Sequence, residues 1–398
     1  MKKAFILVAV LAMVFAATAG VSAQTLTAAQ KANLEASLKV DVAKLKSADN
    51  QSLIVLSTEK KVIPARPANP DALPETDPLH WYDIEYAGWN AKKVNIPKSP
   101  GDGAIGKKII FIVHGDHPWT TACTLGAKKV ADAYKMQLKT LSPNWDLAVQ
   151  NQMIDQAINE RPDAICLIPL DAKSAPQQAK KINDAGIPLF LFNTLTDAAA
   201  MNYSITWTGP DDFGQFRMLA RAWADELKKR NPGAKEIDVA YVQHNPGGSP
   251  YYARCWGPIS ELSGYAPIVK TVAKDAPGFE ADKSAQVVSD WLTRFGKDLK
   301  GICASDDSAQ SIGIFAALEK VNRTDLVVVA AGNSKPGMDL VKAGKLFAIT
   351  FQTAEGDGAL TVATAADWFN GKAIEPVRYL PKQLITKANV DQFYPPQW

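Results

Sequence analysis

Short apolar runs, each ending in polar residues and handing over to an amphipathic helix, set the narrowest limits on how this chain can fold. Lys108-Ile109-Ile110-Phe111-Ile112-Val113 runs into His114-Gly115-Asp116-His117-Pro118-Trp119, and Ala164-Ile165-Cys166-Leu167-Ile168-Pro169 into Leu170-Asp171. Leu189-Phe190-Leu191-Phe192 ends at Asn193, Gly301-Ile302-Cys303-Ala304 at Ser305-Asp306-Asp307, and Val327-Val328-Val329-Ala330 near Asn333. Strands that alternate with helices build parallel sheets covered by helices on both faces. Such sheets bind ligands outside the carboxyl ends of their strands, so the residues closing each run are candidate site residues.

Helical patterns follow over 121–135, 147–160, 174–185, 212–230, 252–263, 281–295, 308–320, 335–344 and 356–369. Ala185-Gly186 before Ile187-Pro188, and Ala343-Gly344 before the next strand, are helix stops. The rhythm comes in two batches, one ending near Trp207-Thr208-Gly209-Pro210 and one starting near Asp238-Val239-Ala240-Tyr241-Val242. A chain this long outgrows one core, so two similar lobes with a cleft between them are expected.

Two regions precede this rhythm. Met1-Lys2-Lys3, an apolar stretch to about Ala17 and Val21-Ser22-Ala23 before Gln24 have the layout of a secretion signal over 1–23. No Cys lies near the cut, so a lipid anchor there is not expected. Over 24–105 an extension is expected. Its first part, 25–50, reads as a helix, with capping-box spacing at Thr27 and Gln30 and a stripe of Leu34, Leu38, Val42 and Leu45. Its second part is dense in proline, which excludes regular helix or central strand. That part also carries Trp81, Tyr82, Tyr86 and Trp89, expected to pack on one lobe.

Removing Lys2 and Lys3 with the signal lowers the formal charge from +3 to +1. A near-neutral chain with mixed charges offers no electrostatic footing for nucleic acid or an anionic membrane. Cys123, Cys166, Cys255 and Cys303 are widely spaced with no C-x-x-C pair. Export permits disulfides, but Cys166 and Cys303 sit inside apolar strand patterns, where thiols behave as small hydrophobes. No dinucleotide fingerprint, P-loop or G-x-S-x-G elbow is present, so neither an enzyme nor a cofactor is expected. His114, Asp116, His117 and His244 stand at strand ends with metal-ligand chemistry, which keeps an exported metal-binding protein as an alternative.

From about Lys107 onward the chain resembles the periplasmic sugar-binding proteins of the ribose/galactose class, the solute receptors of ABC importers. The resemblance rests on His117-Pro118-Trp119 after the first strand, Asn193 closing the fourth, and Arg254-Cys255-Trp256-Gly257. It continues through Phe279, Ser305-Asp306, Asn333 and Gln352. Asn193 and Asn333 stand where that family commonly has carboxylates, which keeps the site polar but trades an acceptor for an amide.

The resemblance implies the type I fold of that family: two Rossmann-like α/β lobes with parallel sheets and a three-segment hinge. The lobes are expected over 106–207 with 353–379, and over 208–352 with 380–398. It implies ligand contacts from His117, Trp119, Asn193, Arg254, Phe279, Asp306, Asn333 and Gln352, and no metal. The expected protein is a periplasmic monomer that closes on a sugar or polyol and presents it to an ABC transporter permease. A chemoreceptor or sensor acting through the extension is a further alternative.

Overall fold

The computed structural model describes residues 25–398; the secretion signal expected over 1–23 lies outside them. Among the described residues, twelve strands form two six-stranded sheets. In chain order they are β1 (Lys108–Ile112), β2 (Gln137–Leu141), β3 (Ala164–Leu167), β4 (Leu189–Phe192), β5 (Thr206–Gly209) and β6 (Ile237–Val242). They continue as β7 (Val269–Asp275), β8 (Leu299–Ala304), β9 (Val327–Ala331), β10 (Ala348–Thr350), β11 (Val377–Tyr379) and β12 (Leu384–Thr386).

The first sheet has the order β11-β5-β4-β3-β1-β2 and the second β12-β10-β9-β8-β6-β7. All pairings are parallel except β12 on β10. Each lobe thus repeats the doubly wound order 2-1-3-4-5 with one added edge strand, and its switch point lies between the first and third strands. Central strands such as β3, β4 and β9 are buried along their whole length, as continuous Val, Ile, Leu and Phe runs require.

The chain crosses between lobes three times, at 210–211, 351–353 and 380–383. β5 stays hydrogen-bonded to β4 as far as Thr208 and to β11 at Gly209. The second crossing leads into the Ala354–Phe369 helix, almost wholly buried, which lies against the Pro118–Ala133 helix of the first lobe. Gly126 and Gly358 permit that approach. A Cβ on Gly358 would stand 2.0 Å from the Cys123 carbonyl oxygen, and one on Gly126 would fall against the Glu355 carbonyl.

The extension departs from expectation in two ways. Its first helix has the Thr27/Gln30 capping box but covers only Ala28–Ser37. Leu38 is then exposed, and Val40, Val42 and Leu45 pack on the first lobe from irregular and 3-10 backbone. The apolar spacing therefore reflects docking, not helix continuation. The aromatic cluster also grips both lobes instead of one. The Trp81 ring lies 5.5 Å from Tyr252 and 5.2 Å from Trp256 of the second lobe, whereas Ala87 and Trp89 pack in the first. The Trp256 indole N–H donates to Glu75, and Arg217 makes two 2.7 Å bonds to Glu85. On the other side Lys93 donates to the carbonyls of Met201 and Ser204.

Between these anchorages, the Lys61 ammonium lies 2.6 Å from Asp211 and 2.9 Å from Glu85, over the rings of Tyr86 and Tyr379. Asp211 also pairs with Lys382. The extension is thus tied by buried ions to two of the three crossings. Cys123, Cys166, Cys255 and Cys303 are free and buried.

Candidate functional site

The carboxyl ends of both sheets face one another across a cavity of about 190 Å³. From the first lobe come His114, His117 and Trp119 after β1, Trp145 after β2, and Asn193 after β4. The second lobe supplies His244 after β6, Arg254, Phe279 after β7 and Asp306 after β8, and Gln352 lies at the second crossing.

Three imidazoles meet here, and local backbone partners set the tautomer of two. His117 caps the Pro118–Ala133 helix, its Nδ1 accepting from the Trp119 N–H at 3.1 Å. A neutral His117 therefore carries its proton on Nε2 and offers a donor. His244 Nδ1 lies 3.2 Å from the Asn245 carbonyl, which can only accept. Its Nδ1 carries the proton, and its Nε2 is a bare acceptor.

His244 and His114 are held neutral. Burial, reinforced by the positive charge of Arg254, pushes the His244 pKa down to about 3. Burial, with His117 and Arg254, does the same to His114, also to about 3. His117 is lowered too, by burial and Arg254 against the opposing pull of Asp306.

Aromatic faces close the remaining sides. Trp145 stacks on His114 with centroids 4.3 Å apart and planes at 20°. Its φ of +66° is a left-handed conformation rare for a bulky residue, fixed by its N–H donating to the His114 carbonyl. Gly115 leaves room for the ring, since a Cβ there would stand 2.3 Å from it. Phe279 and His244 meet edge to face, centroids 4.8 Å apart and planes at 82°.

Arg254 is oriented by a 2.9 Å bond to the Ser305 carbonyl and longer 3.4 Å contacts to Asp212. Its helix begins at Ser249, three residues before the expected start, so Arg254 stands in the second turn. Its partners, not the helix end, account for its position. Gln352 Nε2 donates to the other Asp212 oxygen at 3.2 Å, which leaves Oε1 free. Asn193, at φ +58°, donates from Nδ2 to Asp357 at 2.8 Å and keeps Oδ1 free. Burial raises the Asp357 pKa to about 8, opposed by that bond from Asn193. Asp306 accepts from Ser308 and from the Gln310 N–H, capping the following helix.

Seven of the eight residues expected from sequence lie in this wall: His117, Trp119, Asn193, Arg254, Phe279, Asp306 and Gln352. Asn333 does not. It is fully buried, with Oδ1 accepting from the Gln352 N–H at 3.1 Å, and so stands behind the cavity. Trp145, Trp398 and the backbone around Pro246 also line the cavity. Trp145 follows a largely exposed strand with no apolar run to signal it.

The metal alternative is corrected by the structure. Among the described residues no group of three His, Cys, Asp or Glu side chains is placed to hold a metal ion. Asp116 is exposed and outside the cavity wall, so it does not join His114, His117 and His244 there. Among the described residues no helix is long and apolar enough to cross a membrane.

Comparison with known proteins agrees with this geometry. The family described as periplasmic binding protein domain matches residues 108–373. A xylitol-binding protein of Mycolicibacterium smegmatis is 28% identical over 287 residues, covering 72% of this chain and 78% of that protein. A ribose import binding protein of Bacillus subtilis is 25% identical over 278 residues, covering 68% and 84%. An ABC transporter solute binding protein from Bacillus halodurans, solved with bound myo-inositol, superposes with a TM-score of 0.65 at 23% identity. The match covers 74% of this chain and 100% of that one. A galactofuranose binding protein gives 0.66 at 18% identity, covering 72% and 96%. These solved structures share the two-lobed fold.

Proposed function

The chain belongs to the periplasmic binding protein family, and from that premise we propose that its cavity captures an uncharged sugar or polyol for an ABC importer. It is a binding protein and not an enzyme. The observation that carries the ligand class is the opposed polarity of two imidazoles, His117 Nε2–H as donor and His244 Nε2 as acceptor. A hydroxyl donates and accepts at once, so it satisfies such a pair where a carboxylate or an ammonium cannot.

The free oxygens of Asn193 and Gln352 and the remaining N–H groups of Arg254 extend the same mixed pattern. The rings of Trp119, Trp145 and Phe279 offer apolar area to the C–H faces of a sugar. Arg254 is already paired with Asp212, and Asp306 is committed to the start of its helix, which favours a neutral ligand. The names of the relatives, which include xylitol- and ribose-binding proteins, support the same class.

Polar groups from both lobes reach the ligand together only when the lobes are closed. Binding thus shifts the lobes toward closure by its differential affinity. We assign the seven lining residues as ligand contacts and Asn333 as the support that orients Gln352. Release into the periplasm through the signal over 1–23, action as a monomer and docking on a permease belong to the same proposal. Trp81, Tyr82 and Tyr86 are buried against the lobes, which favours a structural extension over a sensory one.

Isothermal titration against xylitol, D-ribose, D-allose, D-arabinose and myo-inositol tests this reading. Saturable heat with at least one is expected. No heat with any of them, together with an unchanged melting temperature, would sink it.

A further inference from the structure

Outside the cavity a second hollow opens along Pro118, Ala122 and Leu125, and only His117 and Trp398 belong to the walls of both. The two rings lie 5.5 Å apart. Trp398 is held from both sides. Its main-chain oxygen accepts from the Lys335 N–H of the second lobe at 2.8 Å, and its indole lies over Gly332 after β9. The preceding Gln397 accepts from the Glu355 N–H at 3.0 Å and donates to Asp49 of the extension at 3.0 Å. Gly332 has φ +109°, and a Cβ there would stand 3.2 Å from the Trp398 ring.

We propose that Trp398 is a specificity-determining residue: with His117 it forms the partition that limits the cavity to a single unsubstituted sugar or polyol. The ring is positioned by the main-chain bond of its own residue to Lys335, by the bonds of Gln397 and by packing against Gly332 and His117, not by ligand, so the partition is in place before any ligand arrives. Removing it joins the cavity to the outer hollow, whose Pro118, Ala122 and Leu125 surface suits an apolar substituent. This inference rests on the ligand class proposed above.

The test titrates wild type, Trp398→Phe and Trp398→Ala with xylitol, D-ribose, D-allose, D-arabinose and myo-inositol, and with a mono-O-benzyl derivative of each. Wild type should prefer the free compound by about 100-fold or more, because forcing extra atoms into a packed wall is unfavourable. Trp398→Phe, which keeps a ring, should preserve most of that preference. Trp398→Ala should reduce it at least about tenfold, by gaining affinity for the benzyl derivative. Trp398→Leu replaces the Ala variant should that fail to fold. A folded Ala or Leu variant as selective as wild type overturns the inference and leaves the ligand class standing. Wild type that binds none of the free compounds overturns both.

Discussion

Asp211 and Asp212 are adjacent at the first crossing and serve opposite sides of it. Asp211 is bonded to Lys61 of the extension at 2.6 Å, and Asp212 to Arg254 and Gln352 in the cavity wall. One residue step separates the strap that holds the lobes from the group that orients their ligand contacts.

Lys61→Met should be destabilising. Burial works against the Lys61 ammonium, yet Asp211 and Glu85 outweigh it and raise its pKa above that of an ordinary lysine. Removing the cation leaves two buried carboxylates short of a partner, a change that costs about 3 kcal/mol. The lower end of the usual range applies because Lys382 and Arg217 remain. Urea unfolding monitored by tryptophan fluorescence measures this; an unchanged midpoint would show that the strap contributes nothing.

Arg254→Met should weaken sugar or polyol binding by about 100-fold, since it removes a buried charged donor. Asp212, whose pKa burial already raises despite Arg254, then loses its cation. Adding Asp212→Leu to Arg254→Met should recover stability without recovering affinity. Calorimetric titration and thermal melts of the three variants separate these effects.

The two neutral imidazoles, His114 and His244, should each weaken the fold as pH drops. Unfolded histidines take up protons near pH 6.5, but folded His114 and His244 stay neutral down to about 3. At these two sites the unfolded state therefore binds more protons across that window, so their contribution to stability falls as pH drops from 6.5 toward 3. Buried Asp357 contributes with the opposite sign, since its raised pKa favours the folded state on acidification. Relative to wild type, a His114→Asn/His244→Asn variant should gain melting temperature between pH 6.5 and pH 4, while wild-type ligand affinity shows no step centred near pH 6.5. Binding that follows an ordinary imidazole titration would contradict the assigned neutral rings.

Gly358→Ala should cost about 3 kcal/mol or more, because the new methyl meets backbone that cannot step aside as a side chain would. Gly264→Ala, where no neighbouring atom lies within reach, is the control and should be nearly neutral or slightly stabilising. Thermal denaturation of both decides it.

The strand ends were legible because a central parallel strand is one apolar run and its first polar residue marks the sheet edge. That rule located His117, Asn193 and Asp306 directly. It carried less at Trp145, because β2 is an exposed edge strand whose composition does not announce its end. Trp398 was beyond its reach, since only tertiary packing brings it to His117. The extension illustrates the converse: the capping box at Thr27 is local and was readable, whereas Val40, Val42 and Leu45 are apolar because of a lobe surface elsewhere in the chain. Asn333 shows the limit of position alone, as a strand-end residue turned to its neighbour's N–H instead of the cavity.

The glycine contact between the Pro118–Ala133 and Ala354–Phe369 helices has a mechanical meaning. Helices touching through backbone at Gly126 and Gly358 move as one body, so the second helix belongs to the first lobe from its first turn. Rotation at this crossing is then left to Phe351, Gln352 and Thr353. The joint and the ligand contact coincide in Gln352, so whatever occupies the cavity bears directly on the pivot.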